Sequence, residues 1–131
     1  MARILIVDDD KDLLLLIGEY LSAYGFEAEL AFSAAQAKDY LHTSHFDVIV
    51  SDFSMPGESG LDLLDYASLT YSGLPFIMIT GSSMPLLKEE AMKKGCSGYV
   101  TKPFEFKELV GVIEAVLSFP ARDASGLAMT A

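Results

Sequence analysis

Tryptophan is absent and cysteine occurs once, at Cys96, so no disulfide can form within the chain. That usage fits a reducing compartment and sets the expectation of a cytoplasmic protein. Basic residues are scarce: nine Lys and Arg stand against 19 Asp and Glu, for a net charge of −10. Contact with a nucleic-acid backbone needs clustered Lys and Arg, so direct nucleic-acid binding is not expected. The two histidines, His42 and His45, flank a helix end without a matching ligand pair, which argues against a zinc site. Long apolar runs are missing too. The opening "MARILIVDDD" meets three acids after one short apolar run, so neither a secretory leader nor a membrane span is expected.

What is present is a chain of 131 residues, 51% hydrophobic and 21% charged, enough to bury one core. Short apolar runs alternate with helical stretches. Strands are expected at 3–7, 27–31, 47–51, 75–80 and 98–102. Helices are expected at 11–24, from Ser33 to about His42, and at 61–70, 85–94 and 105–118. Gly25 and Gly95 read as helix stops, and Ser33 with Gln36 as a capping box. Asp10 reads as a helix N-cap, and Cys96 as a small buried hydrophobe. Alternation of this kind defines an α/β domain with a parallel sheet. The continuous runs "ILIV", "VIV" and "FIMI" suit strands covered on both faces. A doubly wound sheet follows, with its site beyond the carboxyl ends of the strands.

Polar residues collect at that edge. Asp8 and Asp9 follow the first strand and Asp52 the third. Thr80 ends the fourth strand, and Lys102 ends the fifth, before Pro103. Carboxylates gathered in one volume repel each other and need a cation. A hard divalent ion such as Mg²⁺ suits an all-oxygen set. A carboxylate acceptor, a metal, a lysine and a hydroxyl are the parts that phosphoryl transfer to Asp52 requires.

The blocks "ILIVDDD", "DVIVSDFSMPGESGLDLL", "PFIMITG" and "GCSGYVTKPF" stand in the order and spacing of a known family. Over residues 2–118 the chain resembles a response-regulator receiver domain of two-component and phosphorelay signalling. The resemblance implies a flavodoxin-like fold: five parallel strands in the order 2-1-3-4-5 with five helices. It implies a receiver domain at 1–119 and a loose tail at 120–131. By the same resemblance Asp52 is the phosphoacceptor, and Mg²⁺ is held by Asp8, Asp9, Asp52 and the backbone carbonyl of Ser54. Thr80, Gly81, Lys102 and Tyr99 would bind phosphate or switch, and the bond before Pro103 would be cis. The domain would be a signalling acceptor rather than an enzyme, although it assists its own phosphorylation and dephosphorylation. It would receive phosphate from a histidine kinase or phosphotransfer protein. The surface at 85–118 would change for homodimerisation or an output partner.

Two rival readings fit less well. An aspartyl-phosphate phosphatase needs a second carboxylate two positions after its nucleophile, where Ser54 stands. A flavodoxin-like cofactor carrier needs a phosphate-cradling loop after the first strand, where Asp8, Asp9 and Asp10 would repel phosphate. One stretch is unusual. In "LLLLI" (13–17), Leu13 and Ile17 are expected on the buried face with Tyr20, Leu21 and Tyr24. Leu15 is expected outside and Leu14 on a flank, which with Phe104 gives a candidate docking patch. The 11 residues after Pro120 are too few for an added helix-turn-helix domain. The expectation is therefore a stand-alone receiver or one cut from a larger protein.

Overall fold

The computed structural model describes residues 2–81 and 85–118. The tail expected at 120–131 lies outside them. Five strands alternate with five helices: β1 (Arg3–Val7), α1 (Lys11–Ala23), β2 (Glu27–Ala31), α2 (Ala34–Thr43), β3 (Val48–Asp52), α3 (Gly60–Thr70), β4 (Phe76–Thr80), α4 (Pro85–Lys93), β5 (Gly98–Thr101) and α5 (Phe106–Ser118). All neighbouring strands are parallel, in the order β2-β1-β3-β4-β5. The register sets Ile6 beside Val50, Asp52 beside Ile79 and Thr80 beside Thr101, so the strands end close together along one edge.

Burial explains why the apolar runs are continuous. Every residue of β3 and β4 is buried, since helices cover both faces of the sheet. Alternate residues serve different layers. Leu5, Val7, Ile49 and Met78 pack with Leu41, Leu63 and Ala91, beneath α2, α3 and α4. Ile4, Ile6, Val50 and Ile77 pack with Leu14, Ile17 and Ile113, beneath α1 and α5.

Local signals set the helix ends. Asp10 caps α1 by accepting from the Leu13 N–H at 3.1 Å. At the other end Gly25 N–H donates to Ser22 and Phe26 N–H to Leu21, with Gly25 at φ 92°. This pair of bonds satisfies the last carbonyls of the helix. Ser33 caps α2 through the Gln36 N–H, but Gln36 Oε1 accepts from Phe32 rather than from Ser33, so the expected box is displaced by one residue. A complete box appears instead at Ser59 and Asp62, and α3 begins at Gly60.

The phase of α1 differs from the sequence reading. Its buried residues are Leu14, Ile17, Gly18 and Leu21, whereas Tyr24 is 49% exposed and Leu13 only partly buried. Leu14 is fully buried and is therefore not a docking residue. Leu15 and Leu16 are the exposed leucines of this helix, at 54% and 52%. The helix turns this way because Gly18 faces Leu30 of β2. A Cβ on Gly18 would meet the Leu30 side chain at 3.2 Å, so the missing side chain lets the helix sit close to the sheet in this rotation.

Candidate functional site

The carboxyl ends of β1 and β3 deliver the acids. Asp8 follows Val7 and is held by its own N–H donating to the Ala31 carbonyl. Its Oδ1 accepts from the Asp10 N–H at 2.9 Å. Asp52 closes β3, and the next residue is tied down by Phe53 N–H donating to Ile79 O at 2.7 Å. Asp8 and Asp52 are buried, and Asp9 is exposed. One carboxylate oxygen from each of the three lies within 4.8 Å of the others.

The cation comes from the end of β5. Lys102 Nζ stands 3.2 Å from Asp52 Oδ1 and 3.4 Å from Asp8 Oδ2. Its backbone is fixed by its N–H donating to Thr80 O at 2.7 Å, and the Lys102–Pro103 bond is cis. Burial, then the Asp8 charge, lifts Asp52 to about 6, with Lys102 holding the rise back. Burial likewise raises Asp8 above the usual carboxylate range, against the pull of the Asp10 N–H and Lys102. Burial works to lower Lys102, but Asp52 and Asp8 outweigh it and hold the ammonium above the ordinary lysine range. The pocket therefore has a single lysine opposite three acids, two of them resisting ionisation. A hard, oxygen-seeking divalent cation fits this donor set.

The floor is shaped by Gly60. Its N–H donates to Phe53 O, and a Cβ there would lie 2.5 Å from Asp52 O and 2.8 Å from Phe53 Cα. Only glycine permits that approach. The requirement at Gly60 is space rather than backbone freedom.

Other candidates stand at graded distances. Thr80 is buried at the end of β4, beside Lys102 along the backbone, and Gly81 is exposed after it. Tyr99 lies two residues before Thr101 on β5, half-buried against the layer beneath α4, with Lys88 Nζ 5.9 Å from its ring centroid. Burial raises the Tyr99 hydroxyl above the usual range, and Thr80 acts against that rise. Ser54 is exposed in the loop after Asp52. Phe104 follows the cis bond, with its ring 6.2 Å from Phe106. His42 lies at the opposite edge of the sheet, where its Nε2 meets Tyr66 OH at 3.3 Å. Cys96 is buried, and its thiol donates to Gly98 O.

The family model for the response regulator receiver domain matches residues 4–114. The chain is 38% identical over 117 residues to the heme response regulator HssR of Staphylococcus saprophyticus, covering 89% of this chain and 52% of that protein. It is 37% identical over 117 residues to the transcriptional regulatory protein CpxR of Escherichia coli K12, covering 89% of this chain and 50% of that protein. The chain thus spans about half the length of these curated relatives. Among solved structures, chemotaxis protein CheY4 of Vibrio cholerae superposes with a TM-score of 0.85 at 30% identity, covering 88% of this chain and 98% of that one. TrrA of Thermotoga maritima, solved in complex with Mg²⁺-BeF, gives 0.80 at 28% identity, covering 88% and 99%.

The chain belongs to the response regulator receiver domain family. It is a signalling domain, and phosphorylation and Mg²⁺ binding are general properties of the family. Domains of this kind interact with histidine kinases or phosphotransfer proteins. Among the described residues, no helix is long and apolar enough to cross a membrane.

Proposed function

We propose that Asp52 accepts a phosphoryl group from a phosphohistidine on a histidine kinase or phosphotransfer protein. The observation that carries this reading is the Asp52 carboxylate, buried among two other acids and 3.2 Å from the Lys102 ammonium. In the transfer an Asp52 oxygen forms a bond to phosphorus as the phosphorus–nitrogen bond of the donor breaks. The electron pair leaves with the imidazole, which takes up a proton. Asp8, Asp9, Asp52 and the Ser54 carbonyl would hold Mg²⁺. When bound, the ion neutralises the charge of the carboxylates and of the phosphoryl oxygens. Lys102 orients Asp52 before transfer and takes a phosphoryl oxygen after it.

The protein's remaining work is to report the change. Thr80 meets a second phosphoryl oxygen, with Gly81 giving slack, and Tyr99 turns toward the space that Thr80 leaves. The surface formed by residues 85–118 then shifts population and presents itself to an output partner or a second copy. The donor docks on α1 near the pocket, where Leu15 and Phe104 contribute and Leu16 takes the place first given to Leu14. In this reading the chain is a phosphoacceptor rather than an enzyme acting on another substrate. It works in the cytoplasm, and its net charge of −10 supports a role without direct nucleic-acid contact.

Incubation with a small phosphodonor and Mg²⁺ should add one hydroxylamine-labile phosphoryl group, mapped to Asp52 by mass spectrometry. Asp52→Asn should remain unlabelled. Labelling of that variant to the wild-type extent would refute the assignment.

A further inference from the structure

The loop between Asp52 and α3 is fastened at both ends. Phe53 bonds to Ile79, and Gly60 bonds back to Phe53. Met55 is 9% exposed, with its side chain in the core beneath α2, α3 and α4. Between Met55 and the Ser59 cap, the loop reaches across to another helix. Glu58 presents both carboxylate oxygens to Lys38 Nζ on α2, at 2.8 and 2.7 Å. The same ammonium lies 4.7 Å from the ring centroid of Tyr66 on α3. That ring is itself held, with its hydroxyl 3.3 Å from His42 Nε2 and its centroid 6.1 Å from Tyr71.

Exposed ion pairs usually contribute little, because ordering two long side chains offsets the attraction. Here the aromatic seat under Lys38 holds one partner already, which reduces that cost. Neither residue touches the acidic cluster. Their shared effect falls on the loop that carries Ser54, four residues before Glu58.

We infer that Lys38 and Glu58 are positioning residues: their ion pair clamps the loop after Asp52 and so sets how tightly the acidic pocket holds a divalent cation. This rests on the reading of Asp8, Asp9, Asp52 and the Ser54 carbonyl as the Mg²⁺ site. It goes beyond that reading because α2 becomes part of the machinery that tunes the pocket. Coupling is reciprocal, so occupation of the pocket also tightens the clamp.

Charge alone and clamping predict different signs. Lys38→Met removes a positive charge, and Glu58→Gln removes a negative one. Through the long-range field, the first would strengthen cation binding and the second would weaken it. Loss of the clamp weakens both.

The test is calorimetric titration of the full chain with MgCl₂ for the wild type, the two single variants, their combination and the swapped pair Lys38→Glu with Glu58→Lys. Each single variant should raise the Kd by about threefold, the range of an ordered surface pair. The combination should be no worse than either single change, and the swap should recover part of the loss. Lys38→Met binding Mg²⁺ as tightly as the wild type or tighter would overturn the clamp, and so would losses that add in the double variant. Thermal melts without Mg²⁺ give a second readout. Singles that lose cooperative unfolding show a general structural role and overturn the inference as well. A wild-type protein that takes up no Mg²⁺ overturns the metal-site reading itself, an outcome visible in the first titration.

Discussion

Lys102 Nζ is 3.2 Å from Asp52 and 3.4 Å from Asp8, so one ammonium serves two buried carboxylates that arrive on different strands. The pocket stays short of positive charge even with the lysine in place. That shortage is a stability cost as well as a binding opportunity, and the first prediction follows from it.

Asp52 titrates at about 6 in the folded protein, against about 3.9 for an unperturbed aspartate. The folded state therefore holds this proton more tightly than the unfolded chain does. Its contribution to stability is fully present below about pH 4 and is lost as pH rises through about 6. Asp52→Asn escapes that loss. In Mg²⁺-free buffer above pH 7 the variant should be more stable than wild type by on the order of 2 kcal/mol. The gap should close as the pH falls below 4. Urea melts across this range check it, and a gap independent of pH would refute the electrostatic cause.

The two acids after β1 should differ. Asp9 is exposed, whereas Asp8 is committed to Lys102 and the Asp10 N–H. Asp9→Ala should weaken Mg²⁺ binding roughly tenfold or more, as expected for the loss of a direct oxygen ligand. Asp8→Ala should weaken it less. Titrations that leave both variants at the wild-type affinity would show the cluster to be surface charge only.

Gly60→Ala should destabilise the protein severely, by about 3 kcal/mol, because the new methyl would press on the Asp52–Phe53 backbone at 2.5 and 2.8 Å, which cannot swing aside as the Met78 side chain at 2.8 Å can. The measurement is a melting curve. Mg²⁺ affinity should fall with it, since the displaced carbonyl belongs to Asp52. A variant as stable as the wild type would mean that the loop shifts freely.

Thr80→Ala should still accept phosphate at Asp52 yet fail to pass the change to Tyr99. Amide NMR with a beryllofluoride mimic reads this directly. In the wild type, shifts should extend from Asp52 to Tyr99 and on into α4. In the variant they should remain around Asp52. Matching shift patterns in the two proteins would break the proposed coupling.

The ends of β1, β3 and β4 were legible to within a residue because each is an apolar run that stops at a polar residue, as at Val7–Asp8 and Val50–Ser51–Asp52. That spacing is local, so sequence alone carries it. The rotation of α1 was not legible. Five consecutive apolar residues leave a helical period without a phase, and the close fit of Gly18 against Leu30 on the next element favours the one observed. The one available clue was the small residue itself, four positions after Leu14. Gly60 and the Lys38–Glu58 pair were hidden for a related reason. Each depends on an approach between segments that no periodicity records, with 20 residues separating the pair.

The division of the core between the two faces of the sheet has a consequence for traffic through the molecule. Tyr99 belongs to the layer under α4, while its neighbour Val100 belongs to the layer under α1 and α5. On the proposed reading, a rearrangement around Tyr99 would draw first on the packing under α4 and would reach α5 only through its seat on β5. The face of α4 would then change most, and the face offered by α1, in the other layer, least. A phosphate donor reading α1 would meet much the same surface before and after transfer, while a listener on the α4 side would hear the difference.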